Sequence, residues 1–274
     1  MTLLDKNLTR TSEYNEIPRG KDYKPAIKIQ NLSSLGRSSR IFGIRTGRQH
    51  DFLSDMERNY FHILNFSDDI VDIREQFPLQ LDLTLLIADK LGIKHPIHPK
   101  TKKPVIMTSD FNITIKNNGQ GKDIVRTIKS KNDLVNRRTI EKFEIERVYW
   151  KKIGIDWGIV TESEINKMLA LNIADIMHYY SFENIEIFRQ IEDENEKTDI
   201  IDAFTQRLID SKKTIREISS LFESDIHLIK GSGIALFKHL LARKYIKIDL
   251  MEPLNIDFNI KINLLKKAIN PEGI

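Results

Sequence analysis

The stretch that decides the fold is Ser109-Asp110-Phe111-Asn112-Ile113-Thr114-Ile115-Lys116-Asn117-Asn118-Gly119-Gln120-Gly121-Lys122-Asp123-Ile124-Val125-Arg126-Thr127-Ile128-Lys129. Apolar and polar residues alternate over 110–115 and again over 124–129, the period of half-buried strands. Residues 116–123 between them are rich in Asn and Gly, the chemistry of a reversing turn. A β-hairpin follows. With the turn centred near Gly119 and Gln120, the antiparallel register sets Asp110 opposite Lys129, with Asn112 and Thr127 on the same face. A carboxylate that can hold a divalent cation, beside a lysine that can orient water or offset phosphate charge, suits metal-dependent phosphodiester hydrolysis. Taken alone, the two residues suit a cross-strand ion pair of little energetic consequence better than catalysis.

Working outward, residues 138–152 are charged and periodic, a helix stopped by Gly154, and residues 155–160 return as a strand. Strand, helix and strand make a crossover unit. On that helix Glu146 shares a face with Phe143, Tyr149 and Trp150 and points partly inward, although helix glutamates are mostly solvated. Upstream, residues 70–77 read as extended up to Pro78, and residues 83–91 as a short helix ended by Gly92. Residues 41–44 and the Thr46-Gly47-Arg48 turn suggest a hairpin. A helix then runs from Ser54 to about Asn65, carrying Met56, Tyr60, Ile63 and Leu64. Ser54-Asp55-Met56-Glu57 is a capping box. Its first-turn carboxylate, Glu57, could instead reach a metal at Asp110, and spacing does not decide between the two.

The chain has 274 residues, a net charge of +4, 30% charged and 40% hydrophobic residues and no cysteine, which fits one large or two ordinary folded domains. Disulfide frameworks, thiolate nucleophiles and zinc-ribbon or iron–sulfur sites are excluded. No signal-peptide core or run of about 18 apolar residues occurs, so a soluble cytoplasmic chain with no membrane partner is expected. There is no P-loop, dinucleotide fingerprint or nucleophile elbow. His95-Pro96-Ile97-His98 is too short and proline-interrupted for a metal site, and His50 and His62 have no paired motif.

Basic charge sits in the first half: residues 1–165 carry 28 Lys and Arg against 22 Asp and Glu, the remainder 15 against 17. Lys21, Arg37, Arg40, Arg45 and Arg48 lie in or after a polar arm of about 20 residues, where a polyanion could dock; the alternative is an ordinary solvated surface. Beyond Thr161 the texture turns helical, with runs at 164–180 and 183–191 and an acidic, loop-like stretch at 192–196. From Thr214 the order is helix, helix, then strands at 245–250 and 258–264, the order of a winged helix. Because this half is net acidic, protein contact is at least as good a reading as DNA contact.

The string of motifs resembles TnsA, the endonuclease subunit of heteromeric Tn7-type transposases. The segments that carry it are Gly20-Lys21-Asp22-Tyr23, Ser34-Leu35-Gly36-Arg37-Ser38, Thr46-Gly47-Arg48 with His50, Leu53-Ser54-Asp55 with Glu57, Asp72-Ile73-Arg74-Glu75-Gln76-Phe77-Pro78-Leu79, Gly92-Ile93-Lys94-His95-Pro96, Ser109-Asp110-Phe111, and Arg138-Thr139 running to Glu146-Arg147 and Tyr149-Trp150. They cover residues 20–160.

The resemblance implies an α/β fold: a restriction-endonuclease-like mixed sheet flanked by helices over residues 1–165, with a basic N-terminal arm, then a mainly helical, winged-helix-like interaction domain over 166–274. It implies a Mg²⁺-dependent endonuclease, with Mn²⁺ able to substitute, that cuts the 5′ ends of a transposon. Its partners would be transposon-end DNA, a DDE transposase subunit (TnsB-like) and an AAA+ regulator (TnsC-like) engaged through the C-terminal domain. The metal-binding acids of that family correspond to Glu57 and Asp110 and the catalytic lysine to Lys129. One departure is Thr127, where the restriction-type motif has Glu or Gln. Either Thr127 binds the metal through water, or Glu146 compensates as an additional acid, or activity is lost. The rival readings are a stand-alone restriction or repair nuclease and a non-catalytic DNA-binding adaptor.

Overall fold

The computed structural model describes residues 12–26, 38–209 and 211–265. The chain divides into two units, Met1–Ile165 and Asn166–Ile274. The first opens with a short helix, α1 (Ser12–Glu16), and a 3-10 turn at Gly20–Asp22. Strands β1 (Ser39–Gly43) and β2 (Arg48–Phe52) form an antiparallel ribbon. Helix α2 (Asp55–Phe66) starts where the Ser54 hydroxyl accepts the Glu57 N–H, one of the donors a helix start leaves unpaired. Then follow β3 (Ile70–Pro78), α3 (Leu81–Lys90), β4 (Thr108–Asn117), β5 (Gln120–Ile128), α4 (Arg137–Ile153) and β6 (Asp156–Val160).

The main sheet runs β3-β4-β5-β6, antiparallel except for β6, which lies parallel to β5. A parallel neighbour needs a crossover, and α4 supplies it. One face buries Phe77, Leu83, Ile87, Val125, Ile145 and Trp150 beneath α3 and α4, with Tyr14 and Tyr23. The other buries Phe52, Phe61, Ile73, Phe111, Ile113 and Val160 beneath α2 and the ribbon. At roughly 1.5–3 kcal/mol per fully buried large side chain, these two layers hold α2 and α4 against opposite faces of the sheet. This is the restriction-endonuclease-like arrangement.

The hairpin register differs from expectation. The turn is the two residues Asn118 and Gly119, at φ +48° and +79°, a conformation in which both central residues are left-handed. Asn112 therefore faces Val125, not Thr127, and Asp110 is not opposite Lys129. Because side chains alternate with period two, a slip of two residues changes partners without changing faces. The β4–β5 ladder ends at Phe111 opposite Arg126, and beyond it the Ile128 N–H donates to the Asp110 carboxylate at 2.7 Å in place of a backbone carbonyl. The polar arm also carries structure, since Tyr14 on α1 is buried and donates its hydroxyl to Asp123 at 2.6 Å.

The second unit comprises α5 (Lys167–Met177), α6 (Glu194–Ile209), α7 (Ile215–Asp225), α8 (Ser232–Ala242), β7 (Ile246–Lys247) and β8 (Asn263–Leu264). The helix expected at 183–191 is instead two 3-10 turns, Phe182–Asn184 and Glu186–Arg189. Ile185, Ile187 and Phe188 are the buried residues of this stretch. Of the acidic stretch, Glu192 and Asp193 are exposed and irregular as expected, but Glu194 and Glu196 already occupy the first turn of α6, where carboxylates favour the partly positive helix start, and Ile201, Phe204 and Leu208 bury its inner face. The order helix, helix, strand, strand is present, but the two strands pair over only two residues each.

Candidate active site

In the first unit a cleft of about 380 Å³ is lined by Glu57, Asp110, Thr127, Lys129 and Glu146. Glu57 reaches it from the first turn of α2. Its carboxylate accepts the Leu53 N–H at 3.1 Å and the Ser54 hydroxyl at 2.8 Å, so only the Ser54 half of the expected capping box is formed, and the Glu57 carboxylate braces the residue before the cap while lining the cleft. Asp110 sits where β4 and β5 part, aimed by the Ile128 N–H. Lys129 follows β5. Its nearest ionic partner is Asp133 at 3.4 Å, one turn along the chain, yet its charge acts on both Glu57 and Asp110.

Glu146 comes from α4 and is almost wholly buried. One carboxylate oxygen accepts three donors: the Ser109 hydroxyl at 2.5 Å, the Thr127 hydroxyl at 2.6 Å and the Trp157 indole N–H at 3.0 Å. Trp150 in turn donates to the Ser109 hydroxyl at 2.8 Å, and Trp157 also reaches Thr127 at 3.2 Å. The Thr127 hydroxyl proton is thus committed to Glu146. Sequence reasoning gave no role to Ser109, which it read only as part of a matching segment, or to Trp157; only the fold brings them to Glu146.

Electrostatically the cleft is short of positive charge. Burial raises the Glu57 carboxyl, against the opposing hydrogen bonds and Lys129. Burial raises Asp110 further, well above the usual carboxylate range, with the charges of Glu57 and Glu146 adding to it. Burial also raises Glu146, opposed by its three donors. Such a set of oxygen donors fits a hard cation. Among the described residues no three His, Asp or Glu side chains form a ready-made cage. Two carboxylates completed by water and phosphate oxygens is a usual way for Mg²⁺ to be held, so the pair Glu57 and Asp110 fits that ion.

The cations expected to hold DNA are placed differently from one another. Lys21 is exposed; Arg40 lies 3.5 Å from Asp51 and Arg45 2.6 Å from Asp68, both partly exposed. Arg37 lies outside the described residues. Arg48 is a correction. Its guanidinium is 8% exposed and grips both oxygens of buried Glu75, at 2.8 and 2.5 Å, and the Ile73 carbonyl at 3.0 Å. His50 joins it, its Nδ1 2.8 Å from Glu75 and its Nε2 2.7 Å from the Thr46 hydroxyl. Burial alone would raise Glu75, but the hydrogen bonds of Arg48 and His50 outweigh it and hold the carboxyl down to about 2. Arg48 therefore anchors the ribbon to β3 and is not presented to a polyanion. The neighbouring Arg74 is buried the same way, against Asn112 at 2.8 Å and over the Phe77 ring. Of the 72–79 octet, every side chain but the partly exposed Pro78 is buried.

Residues 67–162 match the TnsA-like endonuclease N-terminal model, and residues 164–250 match the TnsA endonuclease C-terminal model. Over 154 residues the chain is 41% identical to the transposon Tn7 transposition protein TnsA of Escherichia coli, an alignment covering 56% of this chain and 55% of that one. The chain thus spans about half the length of the curated relative it matches. No helix among the described residues is long and apolar enough to cross a membrane. With the two models matched one after the other along the chain, the chain belongs to the TnsA-like endonuclease family.

Proposed function

We propose that this protein is a Mg²⁺-dependent DNA endonuclease that cuts the 5′ ends of a transposon as one subunit of a heteromeric transposase. The observation that carries the reading is the convergence of Glu57, Asp110 and Lys129 on one cleft from three separate elements. The matched relative's name, a transposition protein, supports the setting. Its partners are transposon-end DNA, a DDE transposase subunit that cuts the 3′ ends, and an AAA+ regulator contacted by a winged-helix-like second unit. The acidic balance of that unit supports protein contact, while its helix-helix-strand-strand order is one that DNA readers share.

Glu57 and Asp110 would hold the ion, and when bound it supplies Lewis acidity to the scissile phosphate and to a water. Glu57 is anchored by the start of α2 and Asp110 by the Ile128 N–H, so neither has to be ordered when substrate arrives. Lys129 donates to the attacking water or to a non-bridging phosphate oxygen. The water oxygen forms the new bond to phosphorus, the bond to the 3′-oxygen breaks, and the proton ends on that oxygen, leaving a 5′-phosphate. Glu146 aligns Thr127 and the end of β5 from behind. With a transposon-end duplex, partner subunits and Mg²⁺, Asp110→Asn or Lys129→Met should lower 5′ nicking by at least about a hundredfold while assembly persists. A variant that cuts at the wild-type rate removes its residue from the mechanism.

A further inference from the structure

We propose that the loop between α3 and β4 is a clamp that grips the phosphate backbone of duplex DNA at the rim of the cleft. The inference rests on the nuclease reading above and adds to it a binding element that the basic-arm expectation overlooked. Residues 90–109 contain Lys90, Lys94, Lys100, Lys102 and Lys103 and no Asp or Glu. Lys94, Lys100, Lys102 and Lys103 are exposed, and none has a carboxylate partner among the described residues.

The loop is built, not slack. Ile97 and Pro104 bridge its two arms, with the His98 N–H on the Lys103 carbonyl at 2.8 Å and the Val105 N–H on the Pro96 carbonyl at 3.1 Å. At the tip the His98 ring Nδ1 accepts the N–H groups of Lys100 and Thr101 at 3.3 and 3.2 Å, and Lys102 turns the chain at φ +57°. At the base His95 is buried, its Nε2 3.0 Å from the Thr84 hydroxyl of α3. His95 and His98 shape a lysine-tipped turn. A tip ordered in advance loses less entropy when it binds.

Its position identifies the occupant. Pro96, Val105 and Ile106 of this loop line the same cleft as Glu57 and Asp110, while Thr139 and Lys142 of α4 line it too. A substrate strand whose phosphodiester lies between the two acids must pass the loop. Three lysines within four residues match the dense, evenly repeated charge of a duplex backbone better than the sparse charge of a protein surface.

The test uses the full chain and the combined variant Lys100→Glu, Lys102→Glu, Lys103→Glu, with tryptophan emission to verify folding and a Gln-substituted version as a milder control. Fluorescence anisotropy with a labelled duplex between about 50 and 200 mM salt should give a slope of log affinity against log salt reduced by roughly 2–3, near 0.9 for each phosphate no longer neutralised. Because the chain has no cysteine, Thr101→Cys carrying a tethered iron–EDTA group should cut the duplex backbone locally. A wild-type slope in the charge-reversed variant, no tethered cutting, or no wild-type duplex binding at low salt overturns the clamp. Asp110→Asn should bind with the wild-type slope and fail to cut. If Asp110→Asn still cuts, the nuclease mechanism fails while the clamp stands.

Discussion

Replacing Arg48 by alanine should destabilise the first unit by about 3–5 kcal/mol, the usual cost of removing one partner from a buried ion pair. The structure supplies the reason. Arg48 gives Glu75 both guanidinium nitrogens, and without it a carboxylate that is 1% exposed keeps only His50 as a side-chain donor. The titration of Glu75 yields a similar figure: a carboxyl held at about 2 against 4.5 in the open chain is worth ~3 kcal/mol at neutral pH. The unfolded chain takes up that proton first on acidification. The contribution is therefore complete above about pH 5 and is lost as pH falls through about 2. Urea unfolding followed by tryptophan emission isolates the right unit, since both tryptophans, Trp150 and Trp157, lie in it. Arg48→Ala should shift the midpoint at pH 7 with little change in slope and lose most of the acid-dependent component, and Glu75→Gln added to it should recover part of the loss. If Arg48→Ala costs under about 1 kcal/mol and instead lowers the salt slope of DNA binding by about one, Arg48 binds a phosphate and the reasoning fails.

Three further predictions concern the cleft. Glu146→Ala leaves the Ser109, Thr127 and Trp157 donors without their acceptor and should cost about 2–4 kcal/mol, with altered Trp157 emission, whereas Glu146→Gln, which keeps an acceptor oxygen, should cost less; equal costs would mean the network contributes little. Because Asp110 titrates well above its unfolded value, its environment favours the folded form only at low pH. Stability without added metal should decline as pH rises from about 4 through the raised pKa of Asp110; Asp110→Asn should remove that decline. Mg²⁺ binding, measured by calorimetry in two buffers, should release protons and tighten over the same range. Proton-neutral binding would contradict the shared-carboxylate site.

Much of the fold was legible because its signals are local. Ser54 caps α2, Gly154 at φ +75° ends α4, and alternation marks β4 and β5, so these elements stand where periodicity and end signals put them. The failures were also local in origin. Eight polar residues concealed a two-residue turn, which moved the register by two, and the charged start of α6 read as a loop because its buried stripe lies further along.

What the sequence determined by itself was the element order from β1 to β6 and the shared face of Asp110 and Thr127, since strand alternation and helix caps need only neighbouring residues; α6 and the 3-10 turns before it were not read from it. What tertiary structure alone decided was the meaning of individual charges. Arg48 and Lys102 are both basic residues in a basic half, yet one is locked onto Glu75 under the ribbon and the other stands at the tip of an ordered loop. Glu146 could have been a solvated helix glutamate, but three donors from β4, β5 and β6 meet it in the interior. The free energy of a charge depends on its distance from water and from partners remote in sequence, and that information exists only once the chain has folded.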